Sequence, residues 1–170
     1  PQGVREVIGQ RLDQLSEGRF VLGLATGWRD EDYVVAGKSY KGRGKRLDAE
    51  TDVVELTDGK LYAVQRGGGG AQMHWAVSAD RGRTWTKSEP LGFLGHCPYL
   101  HRTADGIVVL AYRGPNRGVE TWGTKLRYSL DDCETWSDEV TVDAWANGAY
   151  PSMVNLRGGS VLIVYYDDND

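Results

Sequence analysis

Cysteine is scarce in this 170-residue sequence: Cys97 and Cys133 are the only two. Two cysteines cannot build a disulfide scaffold, and no C-x-x-C pair stands ready to hold a metal. One bridge or two free buried thiols remain open. Histidine is scarce too, and His74 and His101 have no partners at metal-ligand spacing. No apolar run approaches the length of a membrane span. There is no basic stripe and the net charge is −4, which argues against a nucleic-acid partner. The four glycines Gly67 to Gly70 are not a phosphate loop, because no Gly-Lys-Ser/Thr follows; they read as a flexible connection. No cofactor is expected. The opening residues, Pro1 to Glu6, do not read as a secretory leader, and no initiator Met precedes them. The native start is therefore expected elsewhere, and a secreted or a cytoplasmic location stays open.

What is present points to strands. Only two Phe occur beside nine Tyr and six Trp, and 23 glycines accompany them. That balance favours strands and tight turns over helices. With 40% hydrophobic and 26% charged residues, the chain has the composition of a soluble globular domain with a real core.

Two segments repeat. Ser78-Ala79-Asp80-Arg81-Gly82-Arg83-Thr84-Trp85 returns as Ser129-Leu130-Asp131-Asp132-Cys133-Glu134-Thr135-Trp136, 51 residues later. A second unit, an apolar strand pair around a Gly turn, occurs at 52–64 around Asp58-Gly59. It recurs at 98–112 around Asp105-Gly106 and at 151–166 around Gly158-Gly159, with a fainter copy at 15–24. The order is a hairpin, a third strand such as 125–128, the Asp-containing box, and a fourth strand such as 139–142. Four antiparallel strands per unit of about 40–50 residues make a propeller blade. The chain then reads as one part of a β-propeller domain, with blades at roughly 12–48, 50–95, 96–145 and 146–170. A first box at 39–46 is degenerate. About three and a half blades leave open sheet edges. The remaining blades are expected from a longer chain or from a second copy.

The box has a physical logic. Its Asp can accept hydrogen bonds from the N–H groups of its own turn, its Gly supplies a positive φ, and its Trp can fill the gap between blades. Asp80 and Asp131 therefore read as structural acids. Cys133 stands where the first box has Gly82, and a left-handed Cys would cost about 1–2 kcal/mol, so a reshaped second turn is expected.

Boxes at blade spacing resemble the Asp boxes (BNR repeats) of the sialidase (neuraminidase) superfamily. The resemblance implies an all-β, six-bladed sialidase-like propeller and a glycoside hydrolase acting on a carbohydrate, terminal sialic acid first. That family uses a Tyr nucleophile paired with a Glu, an acid/base Asp and three Arg that clamp the substrate carboxylate. Here 50–59, Glu-Thr-Asp-Val-Val-Glu-Leu-Thr-Asp-Gly, is similar to the family stretch that begins with the activating Glu, which implies that role for Glu50. Sixteen residues on, Arg66 ends a strand similar to the one that carries a clamp Arg. The segment around Tyr150-Pro151-Ser152 resembles the nucleophile strand, which implies Tyr150. A neutral phenol suits an anomeric carbon that bears a carboxylate, where an anionic nucleophile would be repelled.

The match has gaps. The last clamp Arg should lie eight residues before Ser129, where Thr121 stands. Arg113 and Arg117 lie nearby and are candidate substitutes. The first clamp Arg and the acid/base Asp have no counterpart. His96 begins an inner strand, where propeller pockets are lined. Each candidate has a plain structural alternative: Tyr150 a strand aromatic, Glu50 a solvated residue, Arg66 a partner for a blade-edge acid, His96 a hydrogen-bonded structural side chain. The acidic end, Asp167-Asp168-Asn169-Asp170, reads as solvated. Two rival functions remain: a non-catalytic carbohydrate-binding propeller, and a sialidase-like enzyme for another sugar.

Overall fold

A computed structural model of the chain describes residues 50–67, 70–144 and 150–166. The readings placed on 12–48, on the box at 39–46, on Gly68 and Gly69 and on the acidic end lie outside the described residues.

The described residues form antiparallel sheet throughout. Strands β1 (Thr51–Glu55), β2 (Leu61–Gln65), β3 (Gln72–Ser78) and β4 (Glu89–Leu94) make one four-stranded meander in chain order. Strands β5 (His96–Arg102), β6 (Val108–Pro115), β7 (Trp122–Ser129) and β8 (Val140–Asp143) make a second. Strands β9 (Ser152–Asn155) and β10 (Val161–Val164) form a hairpin. The hairpin turns hold Gly59, Gly106, Gly158 and Gly159, all at positive φ, as these tight returns require. Among the described residues no helix is long and apolar enough to cross a membrane.

The first strand of each unit meets its counterparts. Leu100 N on β5 donates to Asp52 Oδ2 on β1 at 2.6 Å. Tyr99 Oη on β5 donates to the Met153 carbonyl on β9 at 3.3 Å. β1, β5 and β9 thus lie side by side, and each sheet fans outward from them. The core fills the space between the meanders: Val54, Tyr62, Val64 and Met73 from the first, Leu100, Val108, Leu110, Tyr112 and Cys133 from the second. Burying one such side chain contributes about 1.5–3 kcal/mol. Alternation along β6 explains the seam: Val108, Leu110 and Tyr112 are all buried on one face.

The two boxes adopt the same turn. Ser78 Oγ donates to Asp80 Oδ1 and accepts from Gly82 N, both at 2.8 Å, while Thr84 N donates to Asp80 Oδ1 at 2.8 Å. Ser129, Asp131, Cys133 and Thr135 repeat this pattern at 2.7, 2.8 and 2.9 Å. The Thr84 and Thr135 hydroxyls also donate to the second oxygen of Asp80 and Asp131, and these bonds first, with those above, hold both carboxyls down to about 2. Cys133 does not reshape its turn: it takes φ 71° where Gly82 takes 82°. The Ser and Asp hydrogen bonds hold the left-handed backbone, and the thiol is buried in the core seam. Trp136 packs against Tyr62 of the neighbouring sheet, with ring centroids 6.4 Å apart, whereas Trp85 is exposed. Cys97 and Cys133 are both free thiols.

Candidate functional site

The Gly turns set a common register for the three hairpins. Shifts of 47 and 100 residues carry Gly59 onto Gly106 and onto Gly159. The same shifts carry Glu50 onto Cys97 and Tyr150, and Arg66 onto Arg113 and Tyr166. Each hairpin therefore opens on one member of the first set and closes on one member of the second.

All three opening residues are left-handed: Glu50 at φ 59°, Cys97 at 51° and Tyr150 at 56°. Non-glycine residues avoid this region at a cost of about 1–2 kcal/mol, and persistent strain of this kind gathers where side chains must be aimed. Here the aim converges. Tyr150 Oη donates to Glu50 Oε1 at 2.9 Å. Cys97 N donates to Glu50 Oε2 at 2.9 Å. Arg66 Nη1 donates to Glu50 Oε1 at 3.0 Å, and Arg66 N donates to the Glu50 carbonyl at 3.0 Å. One carboxylate, at the mouth of the first hairpin, thus gathers groups from all three.

The electrostatics follow from this geometry. Burial pulls the Glu50 carboxyl up, but the bonds from Tyr150 and Cys97 N and the Arg66 charge outweigh it and hold the pKa below the ordinary value. Glu50 is therefore ionised. Its acceptance of the phenolic hydrogen, with partial burial, pushes Tyr150 up to about 12. The resting pair is a neutral phenol on a carboxylate, not a phenolate. A proton can pass from Tyr150 to Glu50 only as the phenol oxygen gains a new bond. The Cys97 thiol is buried between them and pushed up to about 11, by burial first and then by the Glu50 charge.

Aromatic rings flank this group. Tyr150 stacks on Tyr166 with centroids 6.1 Å apart. His96 stacks on Trp122 at 4.6 Å, and the Arg113 guanidinium lies 5.8 Å from the Trp122 ring centroid. His96 pairs across the strand with Arg113; burial, then the Arg66 charge, lowers its pKa, so it is neutral. Arg117 is exposed on the β6–β7 turn, with no hydrogen bond or ion pair to the Glu50 group. Thr121 closes that same turn: its carbonyl accepts from Asn116 N at 2.9 Å and its hydroxyl from Asn116 Nδ2 at 3.0 Å. Gly67, next to Arg66, is buried, and a Cβ there would fall 2.1 Å from the Gln72 carbonyl oxygen. Its role is close approach of two backbones.

Cys97, Trp122 and Tyr166 belong to this group although no sequence motif marks them. The 47- and 100-residue shifts were the available signal for Cys97 and Tyr166. Trp122 has no such signal, because it reaches the group through the β6–β7 pairing, where it faces Pro115.

A groove of about 630 Å³ opens at the opposite end of β1, lined by Leu56, Thr57, Tyr62, Trp75, Asp132 and Cys133. It follows the seam between the two sheets, and among the described residues no hydrogen bond joins its phenol, Tyr62, to a carboxylate. Among the described residues, no group of three or more His, Cys, Asp or Glu could hold a metal ion.

No family model matches the chain, and no curated protein matches it. Among solved structures, the chain is similar to a protein of unknown function from Dyadobacter fermentans, with 29% identity and a TM-score of 0.61 over 71% of this chain and 34% of that one. It is also similar to an endo-arabinase from Bacteroides thetaiotaomicron, with 12% identity and a TM-score of 0.53 over 72% of this chain and 52% of that one. The chain therefore spans about a third and about half of the lengths of these two proteins. The second is a β-propeller, and the described sheets share its fold.

Proposed function

We propose that this chain contributes to the active site of a propeller glycoside hydrolase of the sialidase type, a six-bladed ring, acting on a terminal acidic sugar. One observation carries the reading: the phenol of Tyr150 hydrogen-bonds to Glu50, an ionised carboxylate, at 2.9 Å. In this reading Tyr150 Oη attacks the anomeric carbon and its proton passes to Glu50. The glycosidic bond breaks, and the leaving oxygen takes a proton from an acid outside this group. Water then displaces the tyrosine from the anomeric carbon, giving its oxygen to the sugar and one proton back to that acid, and the proton held by Glu50 returns to the phenol oxygen. Arg66 keeps Glu50 ionised and oriented. Sialic acid is the first substrate, because a neutral nucleophile suits an anomeric centre that carries a carboxylate.

A second reading, a carbohydrate-binding propeller without turnover, is favoured by Thr121. It fills the position where the sialidase pattern has a clamp Arg, and its hydrogen bonds close a turn. The experiment is release of a fluorogenic leaving group from a sialoside, a glucuronide and an arabinofuranoside by the full-length protein and by Tyr150→Phe. Turnover of the sialoside, lost in Tyr150→Phe, is expected. Turnover of another glycoside alone removes the sialic acid assignment. Turnover that survives the substitution removes Tyr150 as nucleophile. No turnover of any glycoside leaves the binding reading.

A further inference from the structure

The two oxygens of the Glu50 carboxylate have different partners. Tyr150 Oη and Arg66 Nη1 both donate to Oε1, at 2.9 and 3.0 Å. Among the described residues Oε2 receives one donor, the Cys97 N–H at 2.9 Å. A carboxylate held at one oxygen can swing about its side-chain bonds, whereas donors on both oxygens fix its plane. The Cys97 N–H reaches Oε2 because Cys97 is left-handed, at φ 51°. That angle sets the N–H relative to the strand that follows, and β5 is fixed by its pairing with β6. An ordinary negative φ would therefore swing the N–H off Oε2. Cys97 also fills, in the second hairpin, the place that Glu50 and Tyr150 fill in the first and third. Its thiol is buried. With its pKa pushed up to about 11, by burial first and then by the Glu50 charge, it stays protonated and sets no second anion beside Glu50.

We propose that Cys97 is the positioning residue for Glu50: its left-handed backbone holds Oε2, so that Oε1 stays turned to the Tyr150 phenol, and its side chain is a small neutral spacer beside them. This deepens the glycosidase reading. The effect on turnover rests on that reading, and the effect on the carboxylate does not. The charged and titratable groups facing Glu50 are Arg66 at the end of β2, His96 and Cys97 on β5, and Tyr150 before β9. Removing a donor from an ionised carboxyl raises its pKa, so losing the Cys97 N–H moves Glu50 upward.

The test joins two measurements on the full-length protein. One is an NMR titration of the glutamate carboxyls and the Cys97 amide proton, with Glu50 assigned by the loss of its signal in Glu50→Gln. The other is kcat and KM for a fluorogenic sialoside as a function of pH. In the wild type the Cys97 amide proton is expected to shift through the same midpoint as the Glu50 carboxyl, and an amide indifferent to that titration overturns the proposal. Cys97→Val has a branched side chain that resists a left-handed backbone. It is expected to raise the Glu50 midpoint, to move the acid limb to higher pH, and to lower kcat at least about tenfold with KM little changed. Cys97→Gly takes a positive φ freely and keeps the N–H, so its losses are expected to be smaller. A wild-type midpoint in Cys97→Val overturns the proposal even where kcat falls, because partial unfolding lowers kcat without moving a titration. Losses in Cys97→Gly as large as those in Cys97→Val also overturn it. If Cys97→Val does not fold, the wild-type amide and Cys97→Gly decide: a coupled amide with little movement of the Glu50 midpoint in Cys97→Gly upholds the proposal, and a large movement overturns it. The two readings fail separately. Coupled titration without turnover of any glycoside sinks the hydrolase alone, whereas turnover with an uncoupled amide sinks the Cys97 assignment alone.

Discussion

Tyr150 donates its phenolic hydrogen to Glu50 Oε1 across 2.9 Å, although 100 residues of chain separate them. They hold the same place in two repeats, and both are left-handed. The pair is therefore a product of the repeat: each inner strand opens by turning one side chain toward its neighbours. Four expectations follow from this arrangement and from the turns that support it.

Glu50→Gln is expected to lower glycoside turnover about 10²–10⁴-fold, the usual contribution of a positioned base, and to alter the acid limb of the pH profile. The Glu50 pKa is depressed, so the base form is present at neutral pH and is lost only as pH falls through that lowered value. The wild-type acid limb should lie below pH 4.5, the ordinary value for Glu. Measuring kcat/KM from pH 3 to 8 checks this, and an acid limb that persists unchanged in Glu50→Gln would assign it to another group.

Asp80 and Asp131 should govern acid stability. Their carboxyls sit at about 2 in the fold against an ordinary 3.8. The folded state thus binds fewer protons, and their stabilisation is complete above about pH 4 and lost as pH falls toward 2. Urea midpoints measured between pH 5 and 2 should decline in the wild type and decline less steeply in the double variant Asp80→Asn, Asp131→Asn.

Arg102 ties the two sheets together. Its Nε donates to the Glu55 carbonyl at 3.0 Å and its Nη2 to Asp132 Oδ1 at 2.6 Å, while Asp132 Oδ2 accepts from Thr57 N at 3.1 Å. Removing a charged donor from such a network costs about 1–3 kcal/mol. Arg102→Met should lower the urea midpoint accordingly, and little change would show that the seam is held by apolar packing alone.

Gly67→Ala should be more damaging than its size suggests. The new methyl would lie 2.1 Å from the Gln72 carbonyl oxygen and 2.8 Å from that of Ala71, so the β2–β3 connection has to move. A loss of about 1–3 kcal/mol is expected, with displacement of Arg66. Thermal melts together with sugar binding check both effects.

Much of the architecture was legible before any coordinates. The hairpins around Gly59 and Gly106 and the recurring box announce themselves through local chemistry, because turn type and strand alternation depend on neighbouring residues. The box acids were legible as structural for the same reason: Ser, Asp and Thr bond within a few residues of one another. The second box departs from its expected shape in one respect. Cys133 keeps the left-handed turn, because the local hydrogen bonds and burial of the thiol offset the strain.

The sequence by itself determined the repeat and the turns, since these follow from spacing and residue type, and its resemblance to sialidase segments singled out Glu50, Arg66 and Tyr150 as candidates. Only the tertiary structure decided who meets whom. It placed Cys97 N on Glu50, set Trp122 against both His96 and Arg113, left Arg117 on an exposed turn, and paired Arg66 with Glu50 while leaving Arg113 Nε buried without a hydrogen bond. Such pairings depend on strands from different repeats packing side by side, and charge balance at a shared point is a property of that packing rather than of any one segment.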